Sequence, residues 1–354
     1  MEVEACEARE EAHQDRRSER CDLLVAAVFH KPDQVRQSKE KGNMMSLKLD
    51  RRNFIKAGIG VGISPALSSA AASTSGEASG KPWPLCLNTS TIRPTPLKDK
   101  IRVADEAGYD GIELWTEELE EFAENGGDLA ALGAQIRDRG LFVPNVIGLW
   151  NCMPDGQEAW EKSLIATRRR MEMAARAGAQ HIAAIPSPDR PNFDLKWAAD
   201  RYRDLLQMGR ERGITIAFEF VGFLKGIHRL GQAAAVALDS NDPDACLVAD
   251  TFHLHRGGSG FNGIRHLNGD FIAVFHWNDV PAGSVTEKLG DRDRIYPGDG
   301  ILPLRDLLRD LKQINYKGPL SLELFNREHW KQDPLVVAKT GLSKMKELIA
   351  EAGV

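Results

Sequence analysis

The chain has 354 residues, 42% hydrophobic and 27% charged, with 32 Gly and 17 Pro. This is ordinary globular composition, and it excludes disorder, a collagen-like repeat or a coiled coil as the main architecture. The formal net charge of −5 argues against a nucleic-acid partner, because neutralising a phosphate backbone takes a basic excess. Five cysteines (Cys6, Cys21, Cys86, Cys152, Cys246) are too scattered for a disulfide framework or a C-x-x-C zinc site.

In chain order, residues 1–43 mix charges of both signs around one short apolar patch, Leu23–Phe29. They read as an extension that the start at Met44 or Met45 makes dispensable. Asp50-Arg51-Arg52-Asn53-Phe54-Ile55-Lys56 follows, then an uncharged stretch, Ala57–Gly76, containing Ala70-Ala71-Ala72. Twin arginines, a mildly apolar segment and a small-x-small site resemble a twin-arginine export signal, with cleavage near Ala72 and a periplasmic or otherwise exported product. Residues 44–80 are therefore expected to be signal and linker, and 81–354 the folded domain. No apolar run is long and clean enough for an integral span in the mature chain.

From Pro84 onward, short apolar runs alternate with helix-period stretches. The expected strands are Leu85–Asn88, Gly111–Trp115, Leu141–Val146, His181–Ile185, Ile214–Glu219, Cys246–Asp250, Phe271–His276 and Leu320–Leu324. Near-continuous hydrophobic runs of this length suit parallel strands buried on both faces. Between them lie Lys98–Ala107, Glu161–Ala177, Trp197–Arg212, Leu304–Ile314 and Leu335–Ile349, and Gly108, Gly178 and Gly213 supply helix stops. Eight strand–helix repeats predict an α/β fold, a (β/α)8 TIM barrel. A doubly wound sheet is the competing architecture, but no G-x-G-x-x-G follows the first strand. Gly257-Gly258-Ser259-Gly260 lacks the strand–turn–helix context and reads as loop.

A barrel of this kind places its active site at the carboxyl ends of the strands. Those ends offer Glu219, Asp250, His276 and Glu323 on strands five to eight, each interrupting an apolar run. One such carboxylate alone is most simply a solvated rim residue. Four ligand-type side chains on four successive strand ends instead point to one divalent cation, because three crowded carboxylates repel unless a cation joins them. One imidazole with three carboxylates suits Mn²⁺ first, with Zn²⁺, Co²⁺ or Mg²⁺ as options.

Other residues sit near this rim. His253 lies three positions past Asp250, placed either to hydrogen-bond a substrate hydroxyl or to orient a ligand. His255 reads as a satisfied rim residue. Asp279, three past His276, is a similar candidate substrate contact. The long stretch Val280–Gly300 carries Arg292 and Arg294, which either reach substrate oxygens or pair with Asp291 and Asp293. Trp115, Trp150 and Trp277 are core by default, although a sugar-like ring would use one as a wall.

The stretches Leu85-Cys-Leu-Asn-Thr-Ser-Thr, Gly108-Tyr-Asp-Gly-Ile-Glu-Leu, Ile216-Ala-Phe-Glu-Phe-Val-Gly, Ala249-Asp-Thr-Phe-His-Leu-His, Asp291-Arg-Asp-Arg-Ile-Tyr-Pro-Gly and Ser321-Leu-Glu-Leu-Phe resemble the xylose isomerase-like TIM barrel family of sugar isomerases, epimerases and dehydratases. Within it, the likeness is to the inosose (2-keto-myo-inositol) isomerases. The resemblance implies the same metal ligands, Glu219, Asp250, His276 and Glu323, with His253 and Arg294 as substrate contacts. It implies a small sugar or cyclitol substrate, an inosose as first guess, isomerised or epimerised as an α-hydroxy ketone through an enediolate. Glu219 and Glu323 are then the proton-transfer pair. A dehydratase of an inosose or of dehydroshikimate is the alternative within the family, and a non-catalytic carbohydrate-binding barrel the alternative of another kind. Endonucleases of the same fold need extra His ligands where this chain has Trp115 and Asn145. The sequence leaves the oligomeric state open.

Overall fold

The computed structural model describes residues 82–354. The twin-arginine stretch, the cleavage site near Ala72 and the extension over 1–43 lie outside the described residues. Eight parallel strands close into a barrel in chain order, with the last strand paired to the first. They are β1 (Leu85–Asn88), β2 (Gly111–Trp115), β3 (Val143–Leu149), β4 (Ala179–Ala184), β5 (Thr215–Glu219), β6 (Cys246–Asp250), β7 (Ile272–Trp277) and β8 (Leu320–Leu322).

The helices are α1 (Leu97–Ala107), α2 (Thr116–Glu124), α3 (Leu129–Asp138), α4 (Gln157–Arg176), α5 (Leu195–Arg210), α6 (Leu230–Asp239), α7 (Thr251–Arg256), α8 (Leu304–Gln313) and α9 (Pro334–Ala352). Helix α8 shows the rule that places them. Leu304, Leu307, Leu308 and Leu311 fall on one stripe and are buried, while Arg305, Asp306, Arg309 and Lys312 face out. Gly108 ends α1 at φ +90°, a backbone state that a side chain would strain, and its N–H closes on Ala104 and Asp105 carbonyls.

Strand β3 runs later than expected. Pro144 and Asn145 break the apolar run, so an end at Val146 is the natural reading. The strand continues to Leu149 because Asn145 points into the barrel, where its amide donates to Glu113 at 2.7 Å. Helices α2 and α3 carry weaker apolar stripes than α8, and the sequence pattern did not single them out. Cys86, Cys152 and Cys246 are buried free thiols. Among the described residues, no helix is long and apolar enough to cross a membrane.

Candidate functional site

The barrel delivers the four expected ligand residues to one point. Glu219 ends β5, Asp250 ends β6, His276 is the penultimate residue of β7 and Glu323 follows β8 directly. Asp250 and His276 are register partners on adjacent strands. The His276 Nδ1 atom lies 3.3 Å from Glu219 Oε1, 3.3 Å from Glu323 Oε2 and 3.6 Å from Asp250 Oδ2. All four side chains are buried. Asp250, His276 and Glu323 offer ligand atoms within 4.8 Å of one another, as do Glu219, Asp250 and His253.

The orientation of His276 is set from behind by a residue that strand-end reading passed over. Its Nε2 lies 2.9 Å from Glu113 Oε1, so it donates there and turns Nδ1 toward the carboxylates. That Nδ1 is buried without a hydrogen-bond partner. A buried imidazole nitrogen aimed at three carboxylates is a donor set that fits a divalent cation.

Glu113 is itself completely buried. Its carboxylate accepts from Asn88 Nδ2 at 2.8 Å, Asn145 Nδ2 at 2.7 Å and Ser321 Oγ at 2.7 Å. Burial alone would raise its pKa, but His276 and these hydrogen bonds bring it below its ordinary value. Burial likewise opposes a charged imidazole, yet the carboxylates of Glu113 and Glu323 outweigh it and hold His276 well above the usual range, so a metal taken up at Nδ1 would displace a proton. The signal for Glu113 was present: Ile112-Glu113-Leu114 breaks an apolar run as the four ligands do, but two residues deeper than the strand end.

Replacing Glu113 by Gln should weaken divalent-metal binding about 10–100-fold, as loss of such a supporting carboxylate does elsewhere. Metal titration of the folded variant checks this. Unchanged affinity would show that Glu113 serves packing alone.

Arg294 pairs with Asp291, one of the two ways the sequence allowed, and lies deeper than a surface pair. Its side chain is 1% exposed. Nη1 donates to Asp250 Oδ2 at 2.6 Å and to Glu323 Oε2 at 2.7 Å, while Nη2 reaches Asp291 Oδ1 at 2.7 Å. Phe252 and Phe325 lie under the guanidinium at 4.7 and 5.2 Å from their ring centres. Burial opposes the ionisation of Asp250, but Arg294 outweighs it and holds this carboxyl well below its usual range. Glu323 goes the other way: burial, reinforced by Asp250 and Glu219, pushes it well above, against the pull of His276 and Arg294. One guanidinium therefore does not satisfy three carboxylates.

A guanidinium can only donate, so the 3.3 Å approach of Arg294 Nη2 to His253 Nε2 makes that nitrogen the acceptor. His253 is then the Nδ1–H tautomer, and its Nδ1 has no partner in the protein. Burial, with Arg294 also repelling charge, lowers the His253 pKa and keeps the ring neutral.

A pocket of about 370 Å³ opens over the cluster, with Glu219, His253, Arg294 and Glu323 at its floor and Trp115, Trp150 and Phe325 among its walls. Trp115 stacks on Trp150 at 6.3 Å, meets Phe325 edge-on at 5.7 Å and donates Nε1–H to Asn88 Oδ1 at 2.9 Å. Trp115 is thus a fixed wall of the pocket. Trp277 packs in the core.

Asp279 has a different place from the one expected of it as a substrate contact. It does not line the pocket. Its carboxylate accepts four backbone N–H groups, from Val280, Gly298, Gly300 and Leu302, at 2.8–3.1 Å. Its own backbone pairs with Ile295, the neighbour of Arg294. A Cβ at Gly300 would collide with the Val280 carbonyl and this carboxylate. Asp279 is the anchor that sets Arg294. Spacing from His276 put it near the site without revealing which way it turns.

Comparison with known proteins agrees with this architecture. The chain is 25% identical over 279 residues to an inosose isomerase of Bacillus velezensis, covering 75% of this chain and 97% of that protein. It is 22% identical over 232 residues to a 3-dehydroshikimate dehydratase of Pseudomonas putida, covering 65% of this chain and 36% of the dehydratase. The barrel superposes on a crystal structure of the IOLI protein with a binding zinc atom at a TM-score of 0.71 and 24% identity, covering 76% of this chain and 99% of the other. The sequence pattern of the xylose isomerase-like TIM barrel family matches residues 101–348. Those residues run from the first helix to the last and include every ligand-type side chain of the cluster, so the chain belongs to the xylose isomerase-like TIM barrel family.

Proposed function

We propose that this protein is a divalent-metal-dependent isomerase or epimerase that interconverts α-hydroxy ketones by proton transfer through an enediolate, with an inosose as the first substrate to try. The observation that carries the reading is the buried Nδ1 of His276 facing Glu219, Asp250 and Glu323 at the floor of an aromatic-walled pocket. Those four residues would hold the metal, Mn²⁺ by preference; the zinc in the related IOLI structure keeps Zn²⁺ in view. A divalent cation there supplies Lewis-acid polarisation of the substrate carbonyl and stabilises the negative charge that develops on its oxygen.

The rest is the work of the chain's own side chains. Trp115 and Trp150 give the substrate ring or carbon chain an apolar wall and keep water from it. His253 offers Nδ1–H to a hydroxyl oxygen. Glu219 and Glu323, from strands on different sides of the floor, serve as the pair that takes the carbon-bound proton and returns one to the adjacent carbon.

The test is turnover of a panel of inososes and ketoses with Mn²⁺ in D₂O. The expected result is isomerised product with deuterium on the carbon that receives the proton. Confirmed isomerisation with neither solvent deuterium nor intramolecular hydrogen transfer would overturn the reading. The likeness to the Pseudomonas enzyme favours dehydration as the second reading, and it would declare itself by net loss of water and a new conjugated absorbance. Ligand binding without any turnover would leave a carbohydrate-binding barrel.

A further inference from the structure

The outer part of the pocket has a character that its floor does not predict. Arg93, Lys288, Arg292 and Arg327 all line it, in a chain whose formal net charge is −5. Arg93, Lys288 and Arg292 come from the segment after β1 and from two separate turns of the segment after β7. Among the described residues, none of these three makes an ion pair, although Glu117 is near enough to feel the charge of Arg93. Cations elsewhere on the barrel do pair, as with Arg102 beside Asp99 and Glu106 or Arg210 beside Asp242 and Asp244.

Arg93 is only half exposed, and its guanidinium lies over the Trp115 ring at 5.1 Å. A cation fixed on a wall of the pocket is pre-organised for an incoming anion. The acceptor side of the ledger is thin. Asp291, a carboxylate at this level, is taken up by Arg294. Trp150, another wall residue, carries an indole N–H with no partner.

A mouth rich in donors and poor in acceptors suits a group that only accepts. Sugar hydroxyls both donate and accept; a carboxylate or phosphate accepts alone. Low-dielectric aromatic walls also focus the field of these cations into the opening.

We infer that the substrate is an anionic α-hydroxy ketone, its carboxylate or phosphate held by Arg93, Lys288 and Arg292 while its ketone lies over the Glu219–Glu323 floor. The inference rests on the enediolate reading for the ketone and on the mouth alone for the anion.

Three probes share one α-hydroxy ketone and differ at the far carbon: D-fructose, D-fructuronate and D-fructose 6-phosphate. Binding to the Mn²⁺-supplemented protein is followed by tryptophan fluorescence. At least one anionic probe should bind about tenfold or more tightly than fructose at low salt, with the ratio falling as salt rises. The better anion identifies carboxylate or phosphate as the group recognised. In R93Q and R292Q the ratio should fall, in the double variant it should approach one, and R93K should retain most of it. Equal binding of all three probes, no saturable binding of either anion, or a ratio untouched in the double variant overturns the inference.

Deuterium exchange in the same samples separates the two readings. Anion preference without exchange on any probe counts against the enediolate and leaves the anion site standing. Exchange on fructose without anion preference does the reverse.

Discussion

Replacing Glu219 or Glu323 by Gln should lower kcat by at least ~100-fold, the lower bound for removing a positioned proton-transfer group. Gln keeps the length and most of the shape of Glu but cannot take up a proton at the substrate carbon. Both residues are buried beside His276, so each substitution also removes a ligand-type oxygen charge. Metal content must therefore be measured with the rate. A fall in kcat that outlasts restoration of full metal occupancy is the expected signature of the proton-transfer role. A rate recovered fully at saturating metal would reduce that glutamate to a ligand.

The two substitutions are expected to differ when the protein is metal-free. Burial and the neighbouring carboxylates already work against ionisation of Glu323, so E323Q removes a repulsion and should cost little stability. It leaves Arg294 its bonds to Asp250 and Asp291.

Replacing Asp250 should have the largest effect on metal binding. Its carboxylate has three tasks: it faces His276 Nδ1, it accepts from Arg294 at 2.6 Å, and it caps α7 by accepting the His253 N–H at 2.8 Å. Asp250→Ala removes all three. The lost cap costs about 1 kcal/mol, and a buried pair broken on one side costs about 3–5 kcal/mol, tempered here because Arg294 keeps Glu323 and Asp291. Asp250→Asn is the cleaner variant, since its side-chain oxygen can still cap the helix while the charge is gone.

Both variants should lose bound metal by elemental analysis. The wild type should gain about 2.7 kcal/mol of stability at a metal concentration one hundred times its Kd, read as a rise in Tm. Asp250→Asn should show almost none of that rise, and its metal-free Tm should fall less than that of Asp250→Ala because the cap survives. A wild type with no bound metal and no Tm response to Mn²⁺ or Zn²⁺ would remove the metal from the mechanism.

Much of the barrel was legible because most strands are buried on both faces and are written largely in apolar residues, β4 with its exposed Gln180 being an exception. Against that background Glu219, Asp250, His276 and Glu323 stand out, and the pairing of strands in chain order does the rest. Glu113 breaks the same background but lies two residues below the strand end, beneath the rim where a barrel site is expected. Side chains two apart share a face of the strand, so Trp115 forms the wall while Glu113 lies beneath it and pins His276. Asp279 and Arg294 belong to a long segment without periodicity. There, direction is decided by which backbone N–H groups a carboxylate can gather, and those come from Gly298, Gly300 and Leu302, about twenty residues away. No local pattern encodes that closure. The end of β3 was obscured for a related reason: Asn145 looks like a strand breaker until its partner Glu113 is known.

The segment after β7 has two separate moorings. Arg256, from α7, donates to the carbonyls of Glu287 and Leu289, beside Lys288 at the mouth. Asp279 gathers the far half and, through Ile295, sets Arg294 against the floor. The two tethers share no residue. Insertions or exchanges near Lys288 can therefore reshape what the mouth accepts while the guanidinium over the carboxylates stays where it is. On the function proposed above, Lys288 is the mouth cation to exchange when a new substrate preference is sought, whereas Arg292 lies between Asp291 and Arg294 and is held with the floor.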